Sequence, residues 1–340
     1  MKAVRFHEFG GSDVLQIDEI EEPFCKPNEV KINIKACGIN HLDIWVRKGL
    51  PWIKFPWILG SDGAGVITEI GSEITDWKIG DEVVIHPGYS CEECKHCNNG
   101  NENYCSNYGI LGESCNGLQQ EYICLKSDQI TKKPNHLSFD EIASMPLVFM
   151  TSWQMLIERA NLLIDEWVLI YGGTSGVGAA AIQIAKHIGA NVVATVGSDE
   201  KMDFAKSMGA DFVVNHSNSD WVKDVKSINK NFDVIFEHVG QKTWDKSMSL
   251  LAKGGRVVTC GATTGFKVEI DLRHLFFKQQ SILGSTMSNF NNFQLIMDKI
   301  QNGIFKPFVD SVFPIEDVAK AHQKIENREH IGKVVLSFEK

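Results

Sequence analysis

The chain has no excess of basic residues. Its 34 Lys and Arg stand against 43 Asp and Glu, a formal charge of −9. That excludes sequence-independent nucleic-acid binding, which needs a basic face to displace counterions from phosphates. No apolar run approaches the ~20 residues a helix needs to cross a bilayer, so no membrane partner is expected. The N-terminus, Met1-Lys2-Ala3-Val4-Arg5-Phe6-His7-Glu8, lacks the apolar core of a secretory signal. Internal repeats, low-complexity segments and a long linker are also missing. What remains is ordinary: 340 residues, 43% hydrophobic and 23% charged, long enough for two domains that each bury a core. Nine cysteines, an odd number, without a secretion signal fit a reducing cytoplasm.

Four of those cysteines, Cys91, Cys94, Cys97 and Cys105, form a C-x2-C-x2-C-x7-C run. Four thiolates so spaced can close a tetrahedron around one zinc, and such a site has no open position for chemistry. The zinc is therefore expected to be structural. Two disulfides are the other use of four cysteines, but successive x2 spacings strain disulfide geometry. An iron–sulfur cluster commonly has proline after its last cysteine, where Ser106 stands here.

About the first 125 residues read as β-rich. Val30–Ala36 alternates apolar and polar residues, and Gly63–Gly71 and Gly80–Ile85 are glycine-bounded strands. From Trp167 the pattern changes to alternating strands and helices. Strands are expected at 168–171, 191–196, 212–214, 232–236, 256–260 and 281–283, with helices from Val177 to Ile188, near 200–208 and at 243–252. That rhythm predicts a parallel, doubly wound sheet. The last 50 or so residues carry an amphipathic helix and two strand candidates, the second ending Gly332-Lys333-Val334-Val335-Leu336.

The run Gly172-Gly173-Thr174-Ser175-Gly176-Val177-Gly178 follows the first of these strands and opens a helix. Glycines let a backbone approach a pyrophosphate, and the helix N-terminus supplies N–H donors. An NAD-binding unit usually carries an acid at the end of its second strand. Here that end reads Ala194-Thr195-Val196-Gly197-Ser198, and the first acid is Asp199, which with Glu200 reads as the first turn of a helix capped by Ser198. Ser198, Lys201 and His216 are candidates to meet a 2′-phosphate, which favours NADP(H). The plainer alternative is that Lys201 is a solvated helix residue.

The cysteine run in a β-rich first domain, the nucleotide-binding unit after it and the returning C-terminal segment together resemble the medium-chain dehydrogenase/reductase family. Further matching stretches are Gly60-Ser61-Asp62-Gly63-Ala64-Gly65-Val66, Gly80-Asp81-Glu82-Val83, Gly209-Ala210-Asp211 and Gly254-Gly255-Arg256-Val257-Val258. The resemblance implies an α/β chain with a GroES-like β-barrel catalytic domain at 1–148, including a zinc lobe at about 88–107. A Rossmann domain at 149–287 follows, and a segment at 288–340 returns to the catalytic domain. It implies an active cleft between the domains and a homodimer or homotetramer. It also implies a basic residue near the pyrophosphate at His41. Zinc alcohol dehydrogenases of this family hold a second, catalytic zinc. Their ligand positions fall here on Asn40, Ser61 and Leu147, and their proton-relay positions on Leu42 and Trp45. Neither set survives, so the chain resembles the branch of quinone and enoyl or acryloyl-type reductases. A metal site rebuilt from Cys37, His41 and Asp62 is the alternative.

Without a catalytic metal an alcohol is hard to oxidise, whereas an activated double bond needs only donors to the carbonyl oxygen as hydride arrives. Asn40 and Ser61 are the candidate donors, or else they satisfy backbone groups. Asp43 is expected to orient its neighbours or contact the cofactor. The segment Trp45–Trp57 is aromatic and basic: it either walls a substrate pocket, with Arg47, Lys48 and Lys54 meeting the phosphates of a CoA tail, or is a packed surface loop. The leading expectation is an NADPH-dependent reductase of a small conjugated carbonyl compound, such as an enone, a quinone or a CoA thioester. A zinc-type alcohol or aldehyde dehydrogenase with unusual ligands and a non-catalytic NADPH-binding protein are the alternatives.

Overall fold

The computed structural model describes residues 1–339 and separates the chain into two compact units. The first comprises Met1–Leu147 with Asn289–Lys340, the second Val148–Ser288.

The first unit is built on one long strand, Glu29–Ile39. Its burial alternates as far as Lys35 and then becomes continuous from Ala36 to Ile39. The alternating part has one solvated face, and the continuous part runs into the core. Asp62–Ile70 pairs antiparallel along one edge of this strand. Tyr122–Lys126 and Lys333–Ser337 pair with its two ends. The sheet has seven strands and extends through Glu82–Ile85 to Ile130–Lys132 on one side and to Val309–Pro314 on the other. Two apolar clusters cover it. One gathers Ile44 and Val46 of the helix His41–Lys48, Val318, Ala321 and Ile325 of the helix Val318–Glu326, and Val334 and Leu336. The other lies among Val30, Ile32, Ile34, Ile67, Val83 and Ile85.

The two helices are also tied by charge. Arg47 is fully buried, which an Arg side chain tolerates only when its donors are used. Its guanidinium donates to Glu326 at 2.7 Å and to the Gly10 carbonyl at 3.3 Å, and lies 3.1 Å from His322 Nδ1. Lys48 reaches the same Glu326 carboxylate at 2.7 Å. Of the two readings of this segment, phosphate contact is ruled out for Arg47, which is spent inside the fold, while Lys48 is paired with Glu326 at its surface. In the same segment Trp52 and Trp57 donate their indole N–H groups to the carbonyls of Glu113 and Gly112. The loop is packed, as the plainer reading had it, and of its three basic residues Lys54 alone is exposed with no ion pair or hydrogen bond among the described residues.

The second unit is a six-stranded sheet in which all pairs are parallel. The spatial order is Phe212–Asn215, Asn191–Val196, Trp167–Ile170, Phe232–Glu237, Leu251–Thr259, Ser281–Gly284. Numbered along the chain this is 3-2-1-4-5-6, the doubly wound order, whose direction reverses beside the first strand. Two helix expectations need correction. The sequence reading has no helix between the third and fourth strands, where a short amphipathic one, Trp221–Ile228, stands. The helix expected over 243–252 ends at Leu250, because Leu251 and Ala252 already belong to the fifth strand.

Two buried histidines of the first unit bear on its acid stability. His86 lies against the rings of Phe290 and Phe293, and its Nε2 has no partner. Burial pushes its pKa down to about 4, and burial together with Arg47 pushes that of His322 down to about 3. The ordinary value is 6.5, so the unfolded chain takes up these protons first as pH falls. Each residue therefore supports folding fully above pH ~6.5 and progressively less below it. Denaturant unfolding should show a loss of about 2 kcal/mol per histidine between pH 7.5 and 5, and His86→Leu should remove its share of that slope.

Candidate active site

Three strand ends meet in the first unit. In the pairing of Glu29–Ile39 with Lys333–Ser337, Val334 lies opposite Ile39, so one step further on Lys333 faces Asn40. In the pairing with Asp62–Ile70, Gly38 lies opposite Asp62. Asn40, Asp62 and Lys333 thus share one end of the sheet by register alone, and all three are buried.

Their polar atoms form a closed set. Lys333 Nζ donates to Asn40 Oδ1 at 2.6 Å and to Asp62 Oδ2 at 3.1 Å. Asn40 Nδ2 donates to the same Asp62 Oδ2 at 2.8 Å, and the Leu147 N–H donates to Asp62 Oδ1 at 2.7 Å. Asp43 stands behind them at the start of the helix His41–Lys48. It accepts the N–H of Asn40 at 2.7 Å and that of Gly60 at 2.9 Å. Burial pushes its pKa up to about 6, while those two N–H groups pull it back toward the ionised form. Ser61 is fully buried and its hydroxyl donates to the Leu111 carbonyl at 2.7 Å.

The four cysteines of the spaced run form a second centre in this unit, held by the turn around the short helix Lys95–Asn98. Their sulfurs lie within 4.8 Å of one another, and the contacts among them run from 3.5 to 3.9 Å. A tetrahedron of sulfurs about 2.3 Å from a zinc has edges of about 3.8 Å. A disulfide needs about 2.05 Å. The group fits a four-thiolate zinc, and all four cysteines are free of disulfides. Among the described residues no other group of three or more metal-binding side chains comes together.

In the second unit the glycine-rich run sits at the C-terminal end of the first strand, Trp167–Ile170. Gly173 donates its N–H to the Thr195 carbonyl at 2.8 Å, and Thr174 is buried beside it. Ser175 caps the helix Gly176–Ile188 by accepting the Gly178 N–H at 3.1 Å, while Gly176, Val177 and Gly178 form its first turn. A Cβ at Gly178 would lie 2.1 Å from the Gly172 carbonyl oxygen, so only glycine lets helix and loop close up. His216, just past the strand Phe212–Asn215, is exposed, and its Nδ1 lies 3.2 Å from the Thr195 hydroxyl. Asp199 is held by the Asn215 side chain at 2.9 Å. Ser198 takes the N-cap position of a short turn at Asp199–Lys201 without making the expected side-chain cap. The α-helix there starts only at Met202.

Residues 26–135 match the family model of the alcohol dehydrogenase GroES-like domain, and residues 176–302 match that of zinc-binding dehydrogenases. Human quinone oxidoreductase is 31% identical over 348 residues, covering 99% of this chain and 97% of the relative. The chain belongs to the medium-chain dehydrogenase/reductase family. It is an oxidoreductase with the GroES-like and Rossmann folds of that family. A crotonyl-CoA carboxylase/reductase of Cereibacter sphaeroides is 29% identical over 363 residues, which is 96% of this chain and 84% of that one. A solved structure of an NAD-dependent alcohol dehydrogenase is 40% identical, covers 100% of both chains and has a TM-score of 0.96.

With the medium-chain dehydrogenase/reductase frame in place, the metal-ligand positions can be read from the geometry. Asn40 has its amide oxygen occupied by an ammonium group, Ser61 has its proton committed to a backbone carbonyl, and Leu147 offers hydrocarbon. Ser61, expected as a second donor, is corrected to a residue that satisfies backbone. Asp43 accepts the backbone N–H groups of Asn40 and Gly60. The metal site imagined from Cys37, His41 and Asp62 does not assemble. His41 is exposed on the first turn of its helix, with its ring edge-on to Trp45, whereas Cys37 and Asp62 are fully buried. Lys333 went unread as a site residue. Its only local sign is a lysine opening an apolar strand, and its partners lie 293 and 271 residues away.

Proposed function

We propose that this protein is an NADPH-dependent reductase of an activated C=C bond or a quinone, working without a catalytic metal. The observation that carries the reading is the donor set at the family's metal position: an amide already bonded to a lysine, a hydroxyl turned to backbone, and a leucine. Such a set can give hydrogen bonds but holds no Lewis acid. Asn40 has a second Nδ2–H for which no acceptor stands among the described residues. That N–H is the donor for the carbonyl oxygen of an enone, quinone or enoyl thioester, whose negative charge grows as the β-carbon is reduced. A bound nicotinamide supplies the hydride, and solvent water supplies the proton that completes the reduction. The names of the quinone and crotonyl-CoA relatives support this substrate class, the thioester included. The competing reading, alcohol oxidation with NAD, draws on the 40% identical alcohol dehydrogenase and on Asp199.

Steady-state assays decide between them. The wild type should reduce enones, quinones or enoyl thioesters and leave simple primary alcohols essentially unoxidised; brisk alcohol oxidation with no conjugated acceptor used would overturn the reading. Asn40→Ala should lower kcat about a hundredfold, the scale of one lost oxyanion donor, with NADPH affinity nearly unchanged.

Cofactor choice rests on the second strand, which ends at Val196 with no acid before Asp199. Asp199 is engaged by Asn215, and Ser198, Lys201 and His216 are the residues proposed to meet a 2′-phosphate. His41 is proposed as a pyrophosphate contact. A higher kcat/KM for NADPH than for NADH is expected, and Lys201→Ala should narrow that ratio. A clear NADH preference contradicts the assignment and restores Asp199 as the ribose acid.

We also infer that Cys91, Cys94, Cys97 and Cys105 hold one zinc whose role is to fold their lobe. Metal analysis of unchelated protein should find one zinc per chain. Cys97→Ser should lose it and lower the unfolding temperature, since ligand binding and lobe folding are linked; two tightly held zincs would contradict both this inference and the metal-free reaction.

A further inference from the structure

We propose that Lys333 is a positioning residue that fixes which edge of the Asn40 amide is offered to the substrate and strengthens that edge as a donor. The inference rests on the reading of Asn40 as the carbonyl-oxygen donor.

The oxygen and nitrogen of an asparagine side chain are nearly equal in size, so shape alone does not choose between its two orientations. Charge does. A lysine ammonium has donors only and an ionised aspartate has acceptors only. Lys333 Nζ stands 2.6 Å from one end of the Asn40 amide and Asp62 Oδ2 stands 2.8 Å from the other. In the flipped orientation the amide N–H groups would face the ammonium and the amide oxygen would face the carboxylate, two repulsive contacts in a buried site. The Lys333–Asp62 pair is therefore a two-point template that admits one orientation. That orientation consumes one Nδ2–H on Asp62 and leaves the other unspent. A cation bonded to the amide oxygen also draws electron density from the nitrogen, and bonds in such chains strengthen one another.

The backbone sets the template to the same tolerance. Val334 pairs with Ile39, which places Lys333 across from Asn40. Gly332, at φ +95°, immediately precedes that strand, and a Cβ there would lie 2.2 Å from the Phe308 carbonyl oxygen. Glycine is therefore required just before Lys333, whose side chain enters the protein rather than solvent, with 3% of its surface exposed.

The test is a double-mutant cycle read together with a spectroscopic signal. Lys333→Met should lower kcat toward a conjugated acceptor about ten- to a hundredfold while leaving KM for NADPH within about twofold. Placed in Asn40→Ala, the same change should have little further effect, because Lys333 acts through Asn40; effects that multiply overturn the proposal. Lys333→Met leaves Asp62 charged and buried, so Lys333→Met/Asp62→Asn serves if the single variant does not fold. A folded double variant with wild-type kcat overturns the proposal. The side-chain NH2 signals of Asn40, identified by their loss in Asn40→Ala, give the second readout. They should be distinct and slowly exchanging in the wild type and lose that protection in Lys333→Met. Signals that change while no conjugated acceptor is reduced by the wild type leave the positioning intact and refute the proposed reaction. Unchanged signals in an enzyme that reduces enones refute the positioning and leave the reaction standing.

Discussion

The ion pair between Lys333 and Asp62 is the contact on which the first unit's site depends. Both side chains are buried, and an unpaired ion there would cost several kcal/mol in lost hydration. Asp62 offsets this by taking three donors: Lys333, the Asn40 amide and the Leu147 N–H. Lys333 offsets it by giving to both Asp62 and Asn40. A pair so enclosed is costly to break, since removing either partner strands the other at about 3–5 kcal/mol. It therefore holds in one arrangement four chain segments that sequence scatters: the ends at Asn40, Asp62, Leu147 and Lys333.

The helix His41–Lys48 carries this order outward. At its start, Asp43 ties the N–H groups of Asn40 and Gly60 into one carboxylate. One turn later, Arg47 fastens the helix to Glu326 and His322 on the helix that precedes the Lys333 strand. Asn40 and Lys333 are thus held twice, directly by hydrogen bond and indirectly through two helices locked together. Precision in a site comes from such redundant support, because one flexible side chain fixed at one point still has rotamers to explore. Arg47 looks like a surface charge in sequence, yet it acts as the inner anchor of this frame.

What could be read from the sequence divides along the same line. The cysteine cluster and the glycine-rich turn are contiguous, so the four thiols and the turn's conformational needs are spelled out within about fifteen residues. Strands such as Asn191–Val196 and helices such as Gly176–Ile188 announce themselves by period and by flanking glycine. The helix Trp221–Ile228 was missed because its amphipathic pattern is only eight residues long. The end of the helix at Leu250 was missed because Leu251 suits either state and tertiary pairing with Phe232 decided it. Arg47 and Lys333 were out of reach for a different reason. Their partners are set by strand register and helix packing, and no local pattern encodes either.

Family membership alone does not choose the reaction, since one fold carries several chemistries. The polar balance of the site narrows the choice. Lys333 and Asp62 cancel as charges, so what Asn40 offers on the proposed reading is a neutral, oriented N–H. Such a donor does little to lower the pKa of an alcohol, a task for which a metal ion is suited. It is well matched to an oxygen that starts neutral and gains charge only as the reaction proceeds, because a preorganised dipole favours that transition state over the ground state. A fixed ammonium one bond behind the amide reinforces the effect without becoming a ligand itself. The same cation also neutralises the carboxylate that a divalent metal at this position would want for its own, so the arrangement that orients Asn40 works against a metal taking its place.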